Sequence, residues 1–289
     1  MHDPKVPETL EGWSVLHQMF RLRRQAWRSH PAGERTAWAE ESARVLAGFQ
    51  RGDDGATSAV ALLGHKGDLM FVHFRRGFEA LQAAQLEVAG LPIVPFLEPT
   101  TSYVSVVELG LYEMTGLVHS RLAEKGLKNG TPEFEQAFDA EMEEQRHRVA
   151  GRLFLPVPPR RYVCFYPMNK RRGEARNWYA VPFEERARMM REHGVVGRHY
   201  AGSVTQVISG SIGFDDWEWG VDLFADDPVV FKKLVYEMRF DEASVWYAEF
   251  GPFYTGLQFS PDELPHLLEG RVPALRATTE TTETSRRRP

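Results

Sequence analysis

One order of predicted strands and helices occurs twice along this chain, and that repeat limits the possible folds more than any other feature. Each half reads as β-α-β-β-α-β from its short β-rich runs and its amphipathic helical stretches. A unit of this order is typical of a ferredoxin-like sheet that has helices on one face only. Two such units leave two open sheet faces, which are buried most simply against each other or around a ligand. The sequence therefore predicts an α+β protein built from two ferredoxin-like halves.

Hydrophobic periodicity and turn residues indicate where each predicted strand and helix of the repeat begins and ends. Helical spacing of apolar residues defines two helices in each half, and Gly194 is predicted to end one of them at His193. In the first half the predicted strands are 13–23, 58–63, 69–75 and 103–111, and the predicted helices are 34–49 and 78–88. In the second half the predicted strands are 161–166, 203–209, 217–224 and 253–259, and the predicted helices are 183–193 and 229–250.

Changes in composition mark the limits of the two halves. A charged helix at 131–148 and the proline-rich connector Pro156–Pro159 lie between them, and the residues after Gly270 are rich in Thr, Glu and Arg. We predict the following division of the chain: an N-terminal half at 1–130, a link at 131–160, a C-terminal half at 161–270 and a disordered tail at 271–289.

Charge and hydropathy argue against several classes of protein. The net charge of -5 over 289 residues makes a broad nucleic-acid-binding surface unexpected. The single cysteine, Cys164, cannot form an intrachain disulfide, and the polar N-terminal residues lack the apolar core of a signal peptide. No apolar run approaches the roughly 18 residues that a membrane-spanning helix needs. The expectation is a cytoplasmic protein without a membrane span.

His193 is a candidate metal ligand. It follows Met189 and Met190 by four and three residues, so it shares an apolar helix face with them. If the helix ends here, the negative end of its dipole favours an electron-rich imidazole, which is a good iron ligand. A capping histidine bonded to a carbonyl explains the same pattern. No HxxxH spacing or cysteine partner accompanies His193, which argues against a zinc site on this helix.

Tyr166 and Gln206 are candidates on predicted strands. Tyr166 shares a strand face with Cys164, and its phenol is either a buried hydrogen-bonding group or a redox-active one. The basic run Lys170–Arg172 indicates either an anionic substrate nearby or a solvated turn. Gln206 lies on an apolar strand face, where its amide bonds either to core backbone or to a ligand.

An arginine and two tryptophans leave similar alternatives. Arg152 is a charge beside the apolar pair Leu153-Phe154, so it is either a surface charge or a ligand for an anion. Trp217 and Trp219 alternate along a predicted strand and are expected to share a face. That pattern is typical of core packing and, less often, of a wall against a flat ring.

Five stretches of the second half are similar to a known family. They are Tyr162–Met168, Met190–Gly194, Gly210–Gly213, Asp216–Gly220 and Met238–Glu242. Through them the chain resembles the chlorite-dismutase superfamily and, within it, the coproheme decarboxylase branch. The resemblance extends over the whole chain except the tail, but its specific motifs lie after residue 150.

The resemblance implies a dimeric α+β barrel made of two ferredoxin-like halves, usually assembled as a homopentamer, with the porphyrin in the C-terminal half only. It implies that His193 is the proximal iron ligand, that Tyr166 is the redox-active tyrosine and that Gln206 lies on the distal side. The residues that it assigns to propionate binding or to the pocket lining are Arg152, Met168, Lys170, Trp178, Trp219 and Ser244.

Gln206 distinguishes between the branches of this superfamily. Chlorite dismutases have a distal arginine at that position, and a neutral amide cannot supply its charge. The resemblance therefore implies peroxide-dependent oxidative decarboxylation of iron-coproporphyrin III (coproheme) to heme b through a three-propionate intermediate. This is the last step of coproporphyrin-dependent heme biosynthesis, and a ferrochelatase is the expected source of coproheme. A chlorite dismutase and a heme-binding carrier or sensor are the alternatives.

Overall fold

The computed structural model describes residues 6–49 and 54–276, and each half contains the predicted order of elements. The N-terminal half consists of β1 (Thr9–Leu22), α1 (Arg24–Arg28), α2 (Ala32–Gly48), β2 (Gly55–Leu62), β3 (Leu69–Arg75), α3 (Phe78–Ala89) and β4 (Leu97–Gly110). It is followed by α4 (Tyr112–Glu124) and α5 (Pro132–Leu153). The C-terminal half consists of β5 (Tyr162–Lys170), α6 (Phe183–His199), β6 (Val204–Gly210), β7 (Trp219–Ala225), α7 (Val229–Met238), α8 (Glu242–Tyr247), β8 (Ala248–Phe250), β9 (Tyr254–Phe259) and α9 (Leu264–Leu268).

Strand pairing joins the two halves into one closed sheet. Within the described residues the strand order is β7-β6-β4-β1-β3-β2-β9-β5-β8, and a further pairing of β5 with β7 closes the ring. Each half keeps the strand order fourth-first-third-second of a ferredoxin-like unit. The halves meet where β2 pairs with β9 and where β4 pairs with β6, both antiparallel. The predicted α+β fold with two ferredoxin-like halves is therefore confirmed.

Side chains alternate between the inside and the outside of this closed sheet. Apolar residues of both halves fill the inside, among them Val15, Val72, Phe165 and Phe224. Outside, helices cover each half: α2 and α9 pack on the first, and α7 with the end of α6 packs on the second. The two open sheet faces thus bury each other, as the repeat predicts. Helices α6 and α7 pack on the outward face of β5, β6 and β7, and the candidate residues of these three strands lie on that face.

A buried polar pair joins the halves through the interior. The Nε2 atom of His17 lies 3.0 and 3.1 Å from the two carboxylate oxygens of Asp222, and both residues are fully buried. The ring of His17 also stacks on Phe165, with 3.9 Å between centroids. Because β1 and β7 are not neighbours in the sheet, this pair links strands that backbone pairing leaves apart. It lies directly behind the outward face that bears Tyr166.

Two helix predictions in the second half are wrong. Helix α6 does not end at His193 but continues through Gly194 to His199, where α6 packs on the sheet through Val196 and Tyr200. A glycine inside a helix costs only about 1 kcal/mol relative to alanine, and this packing outweighs it. The predicted helix 229–250 is divided into α7, α8 and β8, because the side chain of Asp241 caps a new helix by accepting a hydrogen bond from Ser244 N over 2.9 Å.

The segment between the halves and the C-terminal segment also differ from the prediction. The linking helix extends to Leu153, and α4 precedes it without having been predicted, as α1 and α9 also were not. Residues 271–276, assigned to the disordered tail, contact the fold: Ser260 N donates to Ala274 O over 3.0 Å and Arg276 pairs with Glu263. The rest of that predicted tail and the polar N-terminal residues 1–5 lie outside the described residues. No helix of the described chain is long and apolar enough to cross a membrane.

Candidate functional site

Three predicted site residues lie in line on the outward face of β5. The three are Tyr166, Met168 and Lys170, which occupy every second position of the strand. Because side chains alternate along a strand, the three point to the same side. Tyr166 and Met168 pack in the outward apolar cluster, whereas Val163 and Phe165, which precede Tyr166 and point to the opposite side of the strand, belong to the interior. The strand therefore presents a phenol, a thioether and an ammonium group in sequence on one face.

Tyr166 is held in a dry aromatic setting. Its side chain is 5% exposed, and its ring stacks on Phe253 with 4.6 Å between centroids and 28° between planes. Phe250 approaches the same ring, with centroids 5.7 Å apart. Burial raises the pKa of Tyr166 well above its ordinary value, so the phenol keeps its proton at any physiological pH. Oxidation of this side chain must therefore move a proton together with an electron.

Lys170 is a buried cation at the end of the same strand face. Its residue is 7% exposed, and its Nζ atom lies 4.6 Å from the ring centroid of Trp178. Burial lowers the pKa of Lys170 to about 8, although the negative charges of Asp241 and Glu218 act in the opposite direction. A buried ammonium of this kind gains stability from an anion placed against it.

His193 is held by Asp241, which sequence reasoning did not assign. His193 Nδ1 lies 2.9 Å from Asp241 Oδ2, and Ser244 donates to the same carboxylate through its backbone N–H and its hydroxyl. Burial acts to raise the pKa of Asp241, but these hydrogen bonds outweigh it and the pKa lies below its usual value. The ionised carboxylate only accepts, so His193 donates through Nδ1 and leaves Nε2 available as a ligand atom.

This arrangement replaces the explanation based on the helix dipole. His193 lies inside α6, six residues before its end, so the negative charge beside its ring comes from Asp241. Asp241 lies 48 residues further along the chain. The available signal was the Asp-x-x-Ser spacing of Asp241 and Ser244, which is typical of a helix N-cap.

Gln206 lies on the outward face of β6, under α6. Its strand neighbour Val204 packs in the outward cluster, as the alternation predicts. A β-carbon added at Gly197 would lie 3.7 Å from the amide Nε2 of Gln206. The backbone of α6 at Gly197 is therefore close to the Gln206 side chain. Gln206 therefore lies close to α6, the helix that bears His193.

The two tryptophans predicted to line the pocket are both hydrogen-bonded. Trp178 is 1% exposed and donates through Nε1 to Tyr112 Oη over 3.3 Å. Trp219 donates through Nε1 to Glu108 Oε1 over 3.4 Å. Trp217 does not share a face with Trp219, because β7 begins only at Trp219 and Trp217 packs on the interior cluster.

Arg152 and Ser244 are placed less simply than the other predicted residues. Arg152 is exposed in the last turn of α5, whose main contacts are with β1, α4 and β4. The described contacts of α5 do not bring Arg152 against the other candidates, so its role stays a prediction. Ser244 is 8% exposed and its hydroxyl donates to Asp241, so it supports the His193 carboxylate in this structure.

Comparison with known proteins identifies the family of this chain. A sequence model described as chlorite dismutase matches residues 35–259, and the chain belongs to that family. It is 41% identical over 270 residues to a coproheme decarboxylase of Staphylococcus saprophyticus, covering 91% of this chain and 98% of that protein. A solved heme-binding protein of Thermus thermophilus superimposes with a TM-score of 0.77 at 41% identity, covering 93% of this chain and 100% of that one.

A second group of relatives is longer than this chain. A putative heme-binding protein of Haloquadratum walsbyi is 42% identical over 271 residues, which cover 93% of this chain but 48% of that protein. The chain spans about half the length of the curated archaeal relatives that it matches.

Proposed function

We propose that this chain is a coproheme decarboxylase, which converts iron-coproporphyrin III to heme b with hydrogen peroxide as oxidant. For each of two propionates, R-CH2CH2COO⁻ + H2O2 + H⁺ gives R-CH=CH2 + CO2 + 2 H2O, with a three-propionate porphyrin between the two steps. Near-complete mutual coverage with a relative of that name supports the proposal. The neutral amide of Gln206 supports it over chlorite dismutation, which in this superfamily uses a charged distal side chain.

The proposal depends on one observation. The imidazole of His193, which is bonded to the Asp241 carboxylate, lies close to the face of β5 that bears Tyr166 and Lys170. Asp241 bonds His193 and caps α8, and α8 packs through Ala243 in one cluster with Trp178. Because Lys170 Nζ lies 4.6 Å from the ring of Trp178, the two parts of the site adjoin through this tryptophan. Tyr166 lies on the face of β5 that ends at Lys170. An imidazole ligand, an oxidisable phenol and an anion-binding ammonium are the groups that this reaction needs.

The donor set also fits an iron porphyrin. Among residues 6–49 and 54–276, no group of three or more His, Cys, Asp or Glu side chains is placed to hold a metal ion. A porphyrin supplies four nitrogen ligands itself, so the single Nε2 of His193 would be sufficient as the protein's ligand to its iron. The flat rings of Trp178 and Trp219 and the thioether of Met168 suit a macrocycle, and Lys170 suits its propionates.

In this proposal each side chain has a separate task. When bound, the iron porphyrin supplies the oxidising power that peroxide delivers. Asp241 keeps the proton of His193 on Nδ1 and orients the ring with Nε2 free to bind. Tyr166 would give up its phenolic proton and one electron and would then take a hydrogen atom from the neighbouring propionate. As that propionate loses CO2, it would release a second electron to the same peroxide-derived oxidant and leave a vinyl group. Lys170 orients that carboxylate by a charge-assisted hydrogen bond.

The remaining assignments follow from the resemblance. Gln206 faces the distal side, and Arg152 and Ser244 bind propionates. The working protein is a cytoplasmic homopentamer that receives coproheme from a ferrochelatase. Light scattering of the purified protein tests the pentamer, since a monomer mass of 33.0 kDa predicts about five times that value for the assembly.

Mass spectrometry of the porphyrin tests the reaction itself. Purified protein is mixed with coproheme and titrated with peroxide. We expect stepwise loss of two CO2 equivalents through the three-propionate species. A bound tetracarboxylate that stays unchanged, or is only bleached, would instead favour a carrier or sensor, and oxygen evolution from chlorite by heme-loaded protein would favour a chlorite dismutase.

Coproheme binding should depend on pH through Lys170. The pKa of Lys170 is lowered to about 8, so the free protein loses this charge as pH rises above that value. A propionate favours the ammonium form, so binding takes up a proton above about pH 8, and the affinity falls there by up to roughly tenfold per pH unit. Below pH 8 the affinity should not vary through this group. Titration of coproheme between pH 6 and roughly pH 10 measures the profile.

A neutral residue at 170 should remove this dependence. Lys170→Met should bind coproheme more weakly at pH 7 and show no fall above pH 8. Lys232→Met, an exposed position on α7, is the matched control and should keep the wild-type profile. An unchanged pH profile in Lys170→Met would rule out the propionate contact.

A further inference from the structure

Two side chains of the N-terminal half bond the indole N–H groups of both tryptophans predicted to line the porphyrin site. Tyr112 Oη accepts from Trp178, and Glu108 Oε1 accepts from Trp219. We infer that Glu108 and Tyr112 are positioning residues for the porphyrin, and that the N-terminal half shapes the pocket by fixing the orientation of both indoles. This inference rests on the proposed function, because it concerns the same pocket.

Glu108 reaches the C-terminal half where β4 and β6 meet. Val106 pairs with Gly210 and Val107 with Ser209, so the next outward side chain of β4 points along β6. A β-carbon at Gly210 would overlap the carboxyl group of Glu108, so the glycine provides the space that this side chain occupies. Burial raises the pKa of Glu108, which means that its placement costs free energy unless a partner compensates. The indole N–H of Trp219 is such a partner.

Tyr112 is fixed from the other side by the helix that bears His193. Its ring stacks on Phe183 with 6.0 Å between centroids, and the buried guanidinium of Arg186 lies 5.8 Å from it. Both of these residues belong to α6. Burial raises the pKa of Tyr112, so the phenol stays protonated and its oxygen accepts the indole hydrogen. Tyr112 therefore ties α4, α6 and Trp178 together.

The two contacts act on different sides of the predicted pocket. Trp178 presents its ring to Lys170 Nζ at 4.6 Å, so releasing Trp178 from Tyr112 also releases the ammonium that orients a propionate. Trp219 lies opposite Met168 in the pairing of β7 with β5, so Glu108 acts on the lining beside Met168. Neither residue needs to touch the porphyrin. We expect their loss to raise KM and Kd for coproheme while kcat changes little.

Two single substitutions and their double-mutant cycles test the inference. Tyr112→Phe and Glu108→Leu each remove one acceptor, and we expect coproheme to bind roughly three- to tenfold more weakly in each, as for one lost hydrogen bond. Glu108→Gln keeps an acceptor oxygen and should restore most of the affinity. On a Trp178→Phe background Tyr112→Phe should have no further effect, and Glu108→Leu should have none on a Trp219→Phe background.

A readout without porphyrin checks the hydrogen bonds themselves. Ultraviolet resonance Raman spectra of the protein alone contain an indole band that reports N–H hydrogen bonding. Tyr112→Phe should shift the component that Trp178→Phe removes, and Glu108→Leu should shift the component that Trp219→Phe removes. If leucine at 108 prevents folding, Gly210→Ala serves as the second variant, because its β-carbon displaces the Glu108 carboxyl and should give the same shift.

The outcomes separate this inference from the proposed function. If the wild-type protein does not bind coproheme, the proposed function is refuted, and the inference that depends on it is refuted as well. Wild-type binding together with unchanged Kd and Raman bands in the Glu108 and Tyr112 variants refutes the inference alone. Equal losses of affinity with and without the tryptophans would also overturn it, because the residues would then act by another route.

Discussion

Replacing Tyr166 by phenylalanine should leave coproheme bound but stop its conversion to heme b. The substitution removes only the hydroxyl group and keeps the ring that stacks on Phe253, so the site should stay folded. Because the buried phenol is protonated, its role is to give up and regain a hydrogen, which phenylalanine cannot do. We expect turnover to fall by at least roughly a hundredfold, the lower end of what loss of a proton-transferring side chain costs. Coproheme affinity should change by less than about tenfold, as for one hydrogen bond.

Two measurements separate binding from chemistry in this variant. Absorbance titration gives the dissociation constant, and mass spectrometry after addition of peroxide gives the fraction of propionates lost. Tyr162→Phe is the matched control, since Tyr162 packs in the same outward cluster of β5 and has no assigned role. Decarboxylation at the wild-type rate in Tyr166→Phe would eliminate Tyr166 as the redox residue, and failure of both variants would indicate general damage to the cluster.

Local periodicity was sufficient for the fold and for one strand of the site. The twofold repeat of strands and helices predicts the ferredoxin-like halves, because the order of elements along the chain follows from local patterning and each sheet needs to bury one face. The pleat of the predicted strand 161–166 likewise places Tyr166 on one face with Cys164, whereas Met168 and Lys170 lie beyond that predicted strand and join the face only because β5 continues to Lys170. These inferences need neighbouring residues only, and the sequence contains them directly.

Contacts between distant segments could not be predicted in the same way. Gly194 is a typical local signal for a helix end, but α6 does not end there. The helix packs on the sheet beyond Gly194, and this tertiary contact outweighs the local signal. Asp241 is 48 residues from His193, and Glu108 is 111 residues from Trp219. No spacing rule relates such positions, because the closed sheet and its covering helices bring them together. Sequence reasoning therefore did not name the distant residues that bond His193, Trp178 and Trp219, and the roles of the predicted site residues stay predictions.

Replacing His193 by alanine should change the absorption spectrum of bound coproheme and weaken its binding. The Nε2 atom of His193 would be the protein's ligand to the iron, and Asp241 would lose the group to which it is bonded. Loss of a partner behind a metal ligand typically costs 10- to 100-fold in affinity, so loss of the ligand itself should cost at least roughly that much. Asp241→Asn should have the smaller effect, because it leaves the imidazole in place and removes only the negative charge behind it.

Chemical rescue makes this prediction specific to the imidazole. His193→Gly should recover the wild-type spectrum when free imidazole is added, because the small ligand can occupy the space of the missing side chain. His199→Ala is the control on the same helix, since His199 also has a carboxylate neighbour, Glu237, at 3.4 Å but is 60% exposed. We expect His199→Ala to bind coproheme with the wild-type spectrum. A wild-type spectrum in His193→Ala would show that another residue ligates the iron and would remove the basis on which Asp241 acts.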